Sequence, residues 1–169
     1  MFRREKWHFV QPRADGRFDV LMADGAKAVL RSLTPTLRSL MTSEEDAVRR
    51  LFPTAYPDDP QRDAGYQVFA RQELIEKRLA NLEALEETLD DETIDEETLA
   101  FWMGTLNDLR LVLGTALDVT EDEDPVIDPS EPDDVPKAIY HVLGVMLEEV
   151  VVALTTALPE PDPDANPPG

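Results

Sequence analysis

The sequence predicts a mainly α protein, a single-domain helical bundle of about five helices with a short N-terminal β-hairpin, formed by residues 1–158. Leucine-rich apolar stripes recur every three or four residues over most of the chain, which is typical of helices packed on one core. Aromatic residues alternate with polar ones near the N-terminus, around an Asp-Gly pair that favours a hairpin turn. The chain of 169 residues is 42% hydrophobic, which is enough for one ordinary core.

The N-terminal hairpin is predicted at residues 5–21. Trp7 and Phe9 in its first strand, and Phe18 in its second, alternate with polar neighbours. Gly16 lies at the turn, where its backbone can adopt the positive φ that a tight hairpin requires. Because two strands alone are marginally stable, we expect the aromatic side chains to pack on the helices.

Two helices are predicted next, at residues 24–41 and 44–52. Asp24 is placed to cap the first of them, whose leucines lie on one face. Pro35 interrupts this pattern, because a proline inside a helix lacks the backbone N–H and clashes with the preceding turn. We therefore expect a kink or a split of the helix near Thr34.

Three further segments complete the predicted bundle. A long helix is predicted at residues 63–89, and its spacing allows a break near 70–72, where the apolar stripe changes phase. Asp95 is predicted to cap a helix at residues 95–118. The last helix, predicted at residues 136–158, has apolar side chains around most of its circumference. That pattern predicts that it is the central helix of the bundle.

Charge is distributed unevenly along the chain. The sequence has 36 acidic and 16 basic residues and a formal net charge of −20. Residues 1–40 contain eight basic and four acidic residues, whereas residues 81–169 contain two basic and 24 acidic ones. Residues 118–136 are predicted to form a mobile acidic loop, and residues 159–169 a disordered proline-rich tail. The net charge opposes non-specific binding to DNA or to anionic membranes.

Several classes of site are not supported by the composition. The chain has no cysteine and two histidines, so we expect no thiolate site, no metal site and no cofactor. His141 is expected at a helix surface or an interface. The apolar stretch 138–158 contains Glu148 and Glu149 as well as His141. Since charged residues are costly within a bilayer, we interpret this stretch as a buried helix. No signal peptide is recognisable, which predicts a cytoplasmic protein.

A polar cluster in the fourth predicted helix stands out. Asn107 and Arg110 are three residues apart and share a helix face, and Asp108 lies between them. Arg110 could contact a carboxylate of a ligand or partner through its guanidinium fork. The alternative, which we favour, is an ion pair with Glu148 or Glu149 that fixes the register of two helices, because enclosed charges are usually paired.

A basic patch is predicted on the hairpin, where cationic residues surround aromatic ones. This mixture is compatible with a nucleic-acid contact. The alternatives are that the aromatic side chains pack inward while the basic ones face solvent, or that the hairpin docks on the acidic half of the chain. The residues of the patch are Arg3, Arg4, Lys6, Arg13 and Arg17.

Four segments share features with one family: the opening hairpin, the proline-rich loop at residues 56–60, the Leu-Asn-Asp-Leu-Arg-Leu run within residues 101–115 and the start of the last helix at residues 140–143. In these segments the chain resembles an uncharacterised actinobacterial domain family, whose genes often lie beside that of the adaptor for the Clp protease. The run within residues 101–115 is the most specific of the four. The resemblance implies a soluble, cytoplasmic, single-domain protein. It implies no biochemical activity, and the gene neighbourhood indicates a regulatory or proteostasis context only by association.

These observations favour a non-catalytic regulatory or protein-interaction protein, since no catalytic motif is recognisable. The alternative is a transcription-associated regulator that contacts DNA or RNA polymerase through the basic hairpin. An enzyme of unknown class is the third hypothesis. A protein partner is expected, and homo-oligomerisation is left open because five helices would not cover every apolar surface.

Overall fold

The computed structural model describes residues 6–43, 51–119, 127–128 and 130–157. These residues form a mainly α fold with a small antiparallel sheet, which confirms the predicted fold class. The elements in chain order are β1 (Val10–Pro12), β2 (Phe18–Val20), α1 (Asp24–Met41), α2 (Pro60–Thr88), β3 (Thr93–Ile94), α3 (Glu96–Ala116), a 3-10 turn (Pro132–Asp134) and α4 (Val135–Ala157).

The N-terminal hairpin is confirmed, and a third strand extends it. β1 and β2 pair antiparallel, and Gly16 in the turn between them has a φ of +80°. β2 also pairs antiparallel with β3, so that Phe18 lies opposite Ile94. Both side chains are buried. The sequence did not predict β3, because two residues in an acidic stretch carry no alternating pattern.

The first helix differs from its prediction in two details. Its N-cap residue is Ala23, and no side chain caps the helix, so the prediction that Asp24 is the cap is wrong. Asp24 lies instead in the first turn, where a carboxylate still favours the helix dipole. The helix continues through Pro35 to Met41, so a split near Thr34 is wrong and a kink stays a prediction. Buried leucines on both sides of the proline stabilise the continuous helix.

The other helices begin and end close to the predicted residues. α2 begins earlier than predicted because Asp59 caps it: its carboxylate accepts the Arg62 backbone N–H at 3.0 Å. α2 has no break near 70–72, so that prediction is wrong. Asp95 caps α3 as predicted, accepting the Thr98 N–H at 2.8 Å.

Some predicted segments fall outside the described residues. The predicted helix at 44–52 lies mostly there, and its last two residues, Leu51 and Phe52, form a turn rather than a helix. The predicted tail also lies there, as do residues 120–126 and 129 of the predicted acidic loop. The rest of that loop is partly regular. The 3-10 turn is held by the Asp134 carboxylate, which accepts the Asp128 backbone N–H at 2.8 Å.

The helix at the centre of the bundle is α3, not α4 as the sequence predicted. α3 packs against α1, α2 and α4, and its Trp102 is fully buried. The Trp102 indole donates a hydrogen bond to the Thr88 hydroxyl at the end of α2, at 2.9 Å. α4 packs against α3 and β1, and it exposes several valines, among them Val142, Val145 and Val151. α4 is therefore not the enclosed helix, although apolar side chains surround most of its circumference.

The segment Pro132–Ala157, which includes α4, is long and apolar enough to cross a membrane by length and composition alone. A helix that packs on the core of a soluble domain passes the same test. In the most apolar window of this segment, 22% of the residues are buried. Glu149 of this segment also takes part in the fold, because its carboxylate binds backbone N–H groups at the start of β1.

Candidate functional site

The predicted polar cluster divides between two faces of α3. Asp108 faces α2, where its carboxylate pairs with the Arg78 guanidinium. Arg78 also donates from Nη2 to the backbone oxygen of Leu51 at 3.1 Å. Asp108 is 1% exposed. Burial raises the pKa of its carboxyl above the ordinary value, and Arg78 opposes that rise. Asp108 is therefore part of an interhelical ion pair, separate from the surroundings of Arg110.

The contact between α2 and α3 contains further polar atoms. Thr105 and Asp108 are three residues apart on α3, so they share a face. Thr105 Oγ1, Asp108 Oδ2 and Arg78 Nε are buried and have no hydrogen-bond partner among the described residues. Buried polar atoms of this kind reduce stability. The ion pair therefore orients the two helices at some cost in free energy.

Two arginines of α2 hold the residues on either side of segment 44–50. Arg71 donates to the backbone oxygen of Ser43 at 2.9 Å, and its guanidinium carbon lies 4.7 Å from the centre of the Phe52 ring. The guanidinium carbon of Arg78 lies 5.8 Å from the same ring. Sequence reasoning missed both roles. Their spacing of seven residues on one predicted helix was the available signal.

Arg110 lies on the other side of α3, facing α4. Its guanidinium carbon lies 4.9 Å from the centre of the Tyr140 ring, in a cation–π arrangement. The predicted ion pair with Glu148 or Glu149 is wrong, since no carboxylate of the described residues lies within 4.0 Å of Arg110. Its Nε is buried and has no hydrogen-bond partner in the described part of the chain.

A cavity of about 370 Å³ lies beside Arg110, and we call it the α3–α4 cavity. His141 is exposed and also lines the cavity, so the structure brings Arg110 and His141 together as neighbours of one space. Asn107 is half-buried and does not line it. The lining residues are Arg110, Tyr140, His141, Gly144, Val145, Leu147 and Glu148.

Glu149 has a different role from the one predicted. Its carboxylate accepts the backbone N–H groups of His8, Phe9 and Val10, at 2.8, 2.6 and 3.1 Å. Its second oxygen lies 3.3 Å from Nδ1 of His8. The last helix thereby holds the beginning of β1, which explains why Glu149 is not available to Arg110. Sequence reasoning missed this contact between residues 141 positions apart.

The predicted basic patch is only partly described. Arg3 and Arg4 lie outside the described residues. Arg13 pairs with Asp15 at 3.2 Å and with Asp19 at 2.8 Å.

The other described members of the patch are Lys6 and Arg17. Arg17 donates to the backbone oxygen of Thr93 at 2.9 Å, and Lys6 is exposed. The hairpin aromatics face the core: Phe18 is fully buried, while Trp7 and Phe9 are half-buried against it.

No group of three or more histidine, aspartate or glutamate residues is placed to hold a metal ion within the described ranges. The α3–α4 cavity combines one arginine, one histidine and one glutamate with apolar and aromatic walls. Such a lining can bind and orient an anionic group. It offers no nucleophile with an adjacent base.

A second feature is an exposed apolar patch on the first half of α2, which we call the α2 patch. It consists of Tyr66, Val68 and Phe69, which are 44%, 70% and 81% exposed. Gly65 lies one helical turn before Phe69, and a side-chain carbon placed there would contact nothing within 4 Å. The Phe69 ring therefore projects without cover from its own helix.

Together these features define a mainly α domain with a small antiparallel sheet, a cavity beside Arg110 and an exposed apolar patch on α2. The chain belongs to the family described as a domain of unknown function, DUF2017, whose family model matches residues 4–154. This match confirms the predicted membership of an uncharacterised domain family. The comparison with curated proteins gave no match, and the comparison with solved structures gave none either.

Proposed function

We propose that this protein is a non-catalytic, cytoplasmic regulatory protein that binds a protein partner through the α2 patch. The observation that carries this proposal is the exposure of Phe69, which is 81% accessible on a regular helix. Burying a phenylalanine side chain is worth about 1.5–3 kcal/mol. A partner that covers this ring therefore gains a substantial part of its binding free energy from one residue.

The first half of α2 offers an exposed helical surface on which a partner could dock. Residues 60–77 are helical but contain no buried side chain. At 1.5 Å per residue this stretch is about 27 Å long. Tyr66 of this stretch makes an edge-to-face contact with Tyr56, with 5.9 Å between the centres of the two rings. Tyr66 and Phe69 are three residues apart and share a helix face, and exposed apolar side chains on one face are typical of an interaction surface.

The charge around the α2 patch favours a different protein as the occupant rather than DNA or a membrane. Residues 60–77 contain three basic and three acidic residues, although the whole chain has a net charge of −20. This stretch therefore lacks the excess of cations that phosphate groups attract. A neutral apolar patch fits an apolar groove on a partner.

The hairpin gives less support to a contact with DNA or RNA polymerase. Arg13 already pairs with two aspartates, and Arg17 already binds a backbone oxygen of β3. The aromatic residues that would stack on bases pack against the core instead. The proposal of a non-catalytic role is supported by the sequence, which has no cysteine and no recognisable catalytic motif.

The test is a comparative affinity purification of the full chain from lysate of its source cells, with quantitative mass spectrometry. Phe69→Ser is compared with wild type and with Val151→Ser, a matched control that removes an exposed apolar side chain from α4. We expect at least one partner to be retained by wild type and the control and lost by Phe69→Ser. A partner set that is identical for all three proteins would overturn the proposal.

Light scattering of the same three proteins tests whether a second copy of the chain occupies the α2 patch instead. If wild type and Val151→Ser are dimers while Phe69→Ser is a monomer, the α2 patch binds a second copy of the chain. That result would contradict the proposal of a different protein partner.

A further inference from the structure

We propose that the α3–α4 cavity binds a small monocarboxylate with an apolar body, and that Arg110 receives the carboxylate. This site shares no residue with the α2 patch, so the inference does not depend on the proposed function. Its starting point is Arg110, a cation that has no carboxylate within 4.0 Å among the described residues although it lies in a strongly acidic part of the chain. Residues 81–169 contain 24 acidic residues and only two basic ones, Arg110 and Lys137.

Arg110 and Lys137, the two basic residues after residue 80, differ in their partners. Lys137 forms an ion pair with Asp134, three residues earlier. Arg110 has no such pair among the described residues, and its Nε is buried without a hydrogen bond. An enclosed cation without a counter-ion is costly. Nε itself is enclosed against α4, so a bound carboxylate would pair with the Nη donors, which are not buried.

The guanidinium is held in place before any ligand arrives. Tyr140 packs against one side of it, with 4.9 Å between the guanidinium carbon and the ring centre. Gly144 of α4 lies against it, since a Cβ at this position would be at van der Waals distance, 3.4 Å from Arg110 Nε. A stacked guanidinium loses little freedom on binding and offers parallel donors that match the two oxygens of a carboxylate.

The cavity selects the size and the body of the ligand. Its volume of about 370 Å³ lies near the lower end of the range for small-molecule sites, roughly 300–1,000 Å³. Val145 and Leu147 provide an apolar wall beside the aromatic ring of Tyr140. An aliphatic or aromatic body of a few carbon atoms would fill this space and gain free energy from burial.

The charges around the cavity select a single negative charge. Arg110 is the one permanent cation of the lining, and Glu148 lies on the same lining. A dianion such as a phosphate monoester would meet the repulsion of Glu148 and of the acidic chain as a whole. A monocarboxylate needs only the charge that Arg110 supplies, and His141 can donate a further hydrogen bond from the rim.

The test measures binding of hexanoate, phenylacetate and N-acetyl-leucine to the full chain by calorimetry and NMR, each against its neutral amide. The first two probes represent free carboxylates, and the third represents the end of a protein chain. We expect at least one carboxylate to bind wild type about tenfold more tightly than its amide, as a charge-assisted hydrogen bond implies. Preference for N-acetyl-leucine alone would assign the site to a chain end, contrary to the free ligand proposed here.

Arg110→Gln should abolish that preference, and Arg110→Lys should weaken it, because lysine keeps the charge but not the fork. The matched control is Lys137→Gln, which removes the other basic side chain after residue 80 and should leave binding unchanged. Should Arg110→Gln fail to fold, Gly144→Leu closes the cavity without removing the charge, and it should also abolish binding.

Two results would overturn the proposal. The first is that every carboxylate binds wild type no better than its amide, or binds Arg110→Gln as tightly as wild type. The second is that Glu148→Gln lowers the melting temperature while no carboxylate binds, because Glu148 would then be the anion that Arg110 pairs with in solution. Neither result bears on the α2 patch, whose test uses other residues and another measurement.

Discussion

The two halves of α2 have opposite surroundings, although they form one uninterrupted helix. Residues 60–77 contain no buried side chain, whereas Leu82 and Leu85 in the second half are buried. The second half also carries Arg78, which pairs with Asp108 of α3, and Glu86, which pairs with Arg38 of α1. Helical spacing therefore decides whether a segment forms a helix, while the elements that pack against the segment decide whether that helix is buried.

The largest expected effect compares Leu82→Ala with Phe69→Ala. Leu82 is fully buried, so its truncation should lower the free energy of unfolding by about 2–5 kcal/mol. Phe69 is largely exposed, so its truncation should change that free energy by less than about 0.5 kcal/mol. Chemical denaturation of both variants measures the two values. Equal losses would mean that the first half of α2 is packed in solution, contrary to the comparison.

A smaller effect is expected where the second half of α2 approaches α3. A Cβ added at Gly104 would lie 2.5 Å from Nδ2 of Asn81, so Gly104→Ala forces the Asn81 side chain to move. We expect a loss of no more than about 1 kcal/mol, because the overpacking falls on the far end of a flexible side chain and alanine favours the helix over glycine. Adding Asn81→Ala should restore stability, because the clash disappears and alanine favours the helix over glycine. A double variant as unstable as the single one would refute this account.

A comparable effect is expected at one of two matching N-caps. Asp59 begins the exposed half of α2, and Asp95 begins the enclosed helix α3; each accepts a backbone N–H three residues later. Asp95→Ala should lower the global free energy of unfolding by about 1 kcal/mol. Asp59→Ala should mainly accelerate hydrogen exchange in residues 60–77, because that half opens locally without the core.

The Asp95 cap should also depend on pH. Hydrogen bonds from the side chain and the backbone N–H of Thr98 hold the pKa of the Asp95 carboxyl below its ordinary value. The folded state therefore binds the proton less readily than the unfolded one, so this contribution is complete above about pH 4 and is lost at lower pH. Asp95→Asn keeps a capping oxygen that does not titrate. Its stability relative to wild type should rise as the pH falls below about 4, and a constant difference would contradict the assignment.

Most of the fold could be predicted because most of it depends on local patterns. The leucine spacing predicted α1, α3 and α4 to within two residues at each end, and the Asp-Gly pair predicted the hairpin turn. The errors have physical causes of another kind. β3 is only two residues long, and its pairing with β2 is a contact between distant parts of the sequence. Pro35 did not divide α1, because packing on both sides outweighs the lost hydrogen bond.

The candidate site was harder to predict than the fold. The sequence singled out Arg110 as an isolated cation, and the structure places it beside His141 at one cavity. The sequence could not assign partners, since with 36 acidic residues any cation has many candidate carboxylates. Asp108 pairs with Arg78, and Glu149 binds backbone N–H groups instead of a cation. Such choices depend on which side of a helix faces which neighbour.

The hydrogen bonds between Glu149 and the first strand affect the order in which parts of the chain become fixed during synthesis. The residues joined are 141 positions apart, so the hairpin emerges from the ribosome long before the carboxylate that holds it. α1, α2 and α3 can pack on one another as they appear, since their contacts are closer in sequence. The start of β1 must wait for the last helix. β1 can already pair with β2, but the backbone of His8 to Val10 is held only once α4 is present, so a chain truncated before Glu149 would lack these hydrogen bonds.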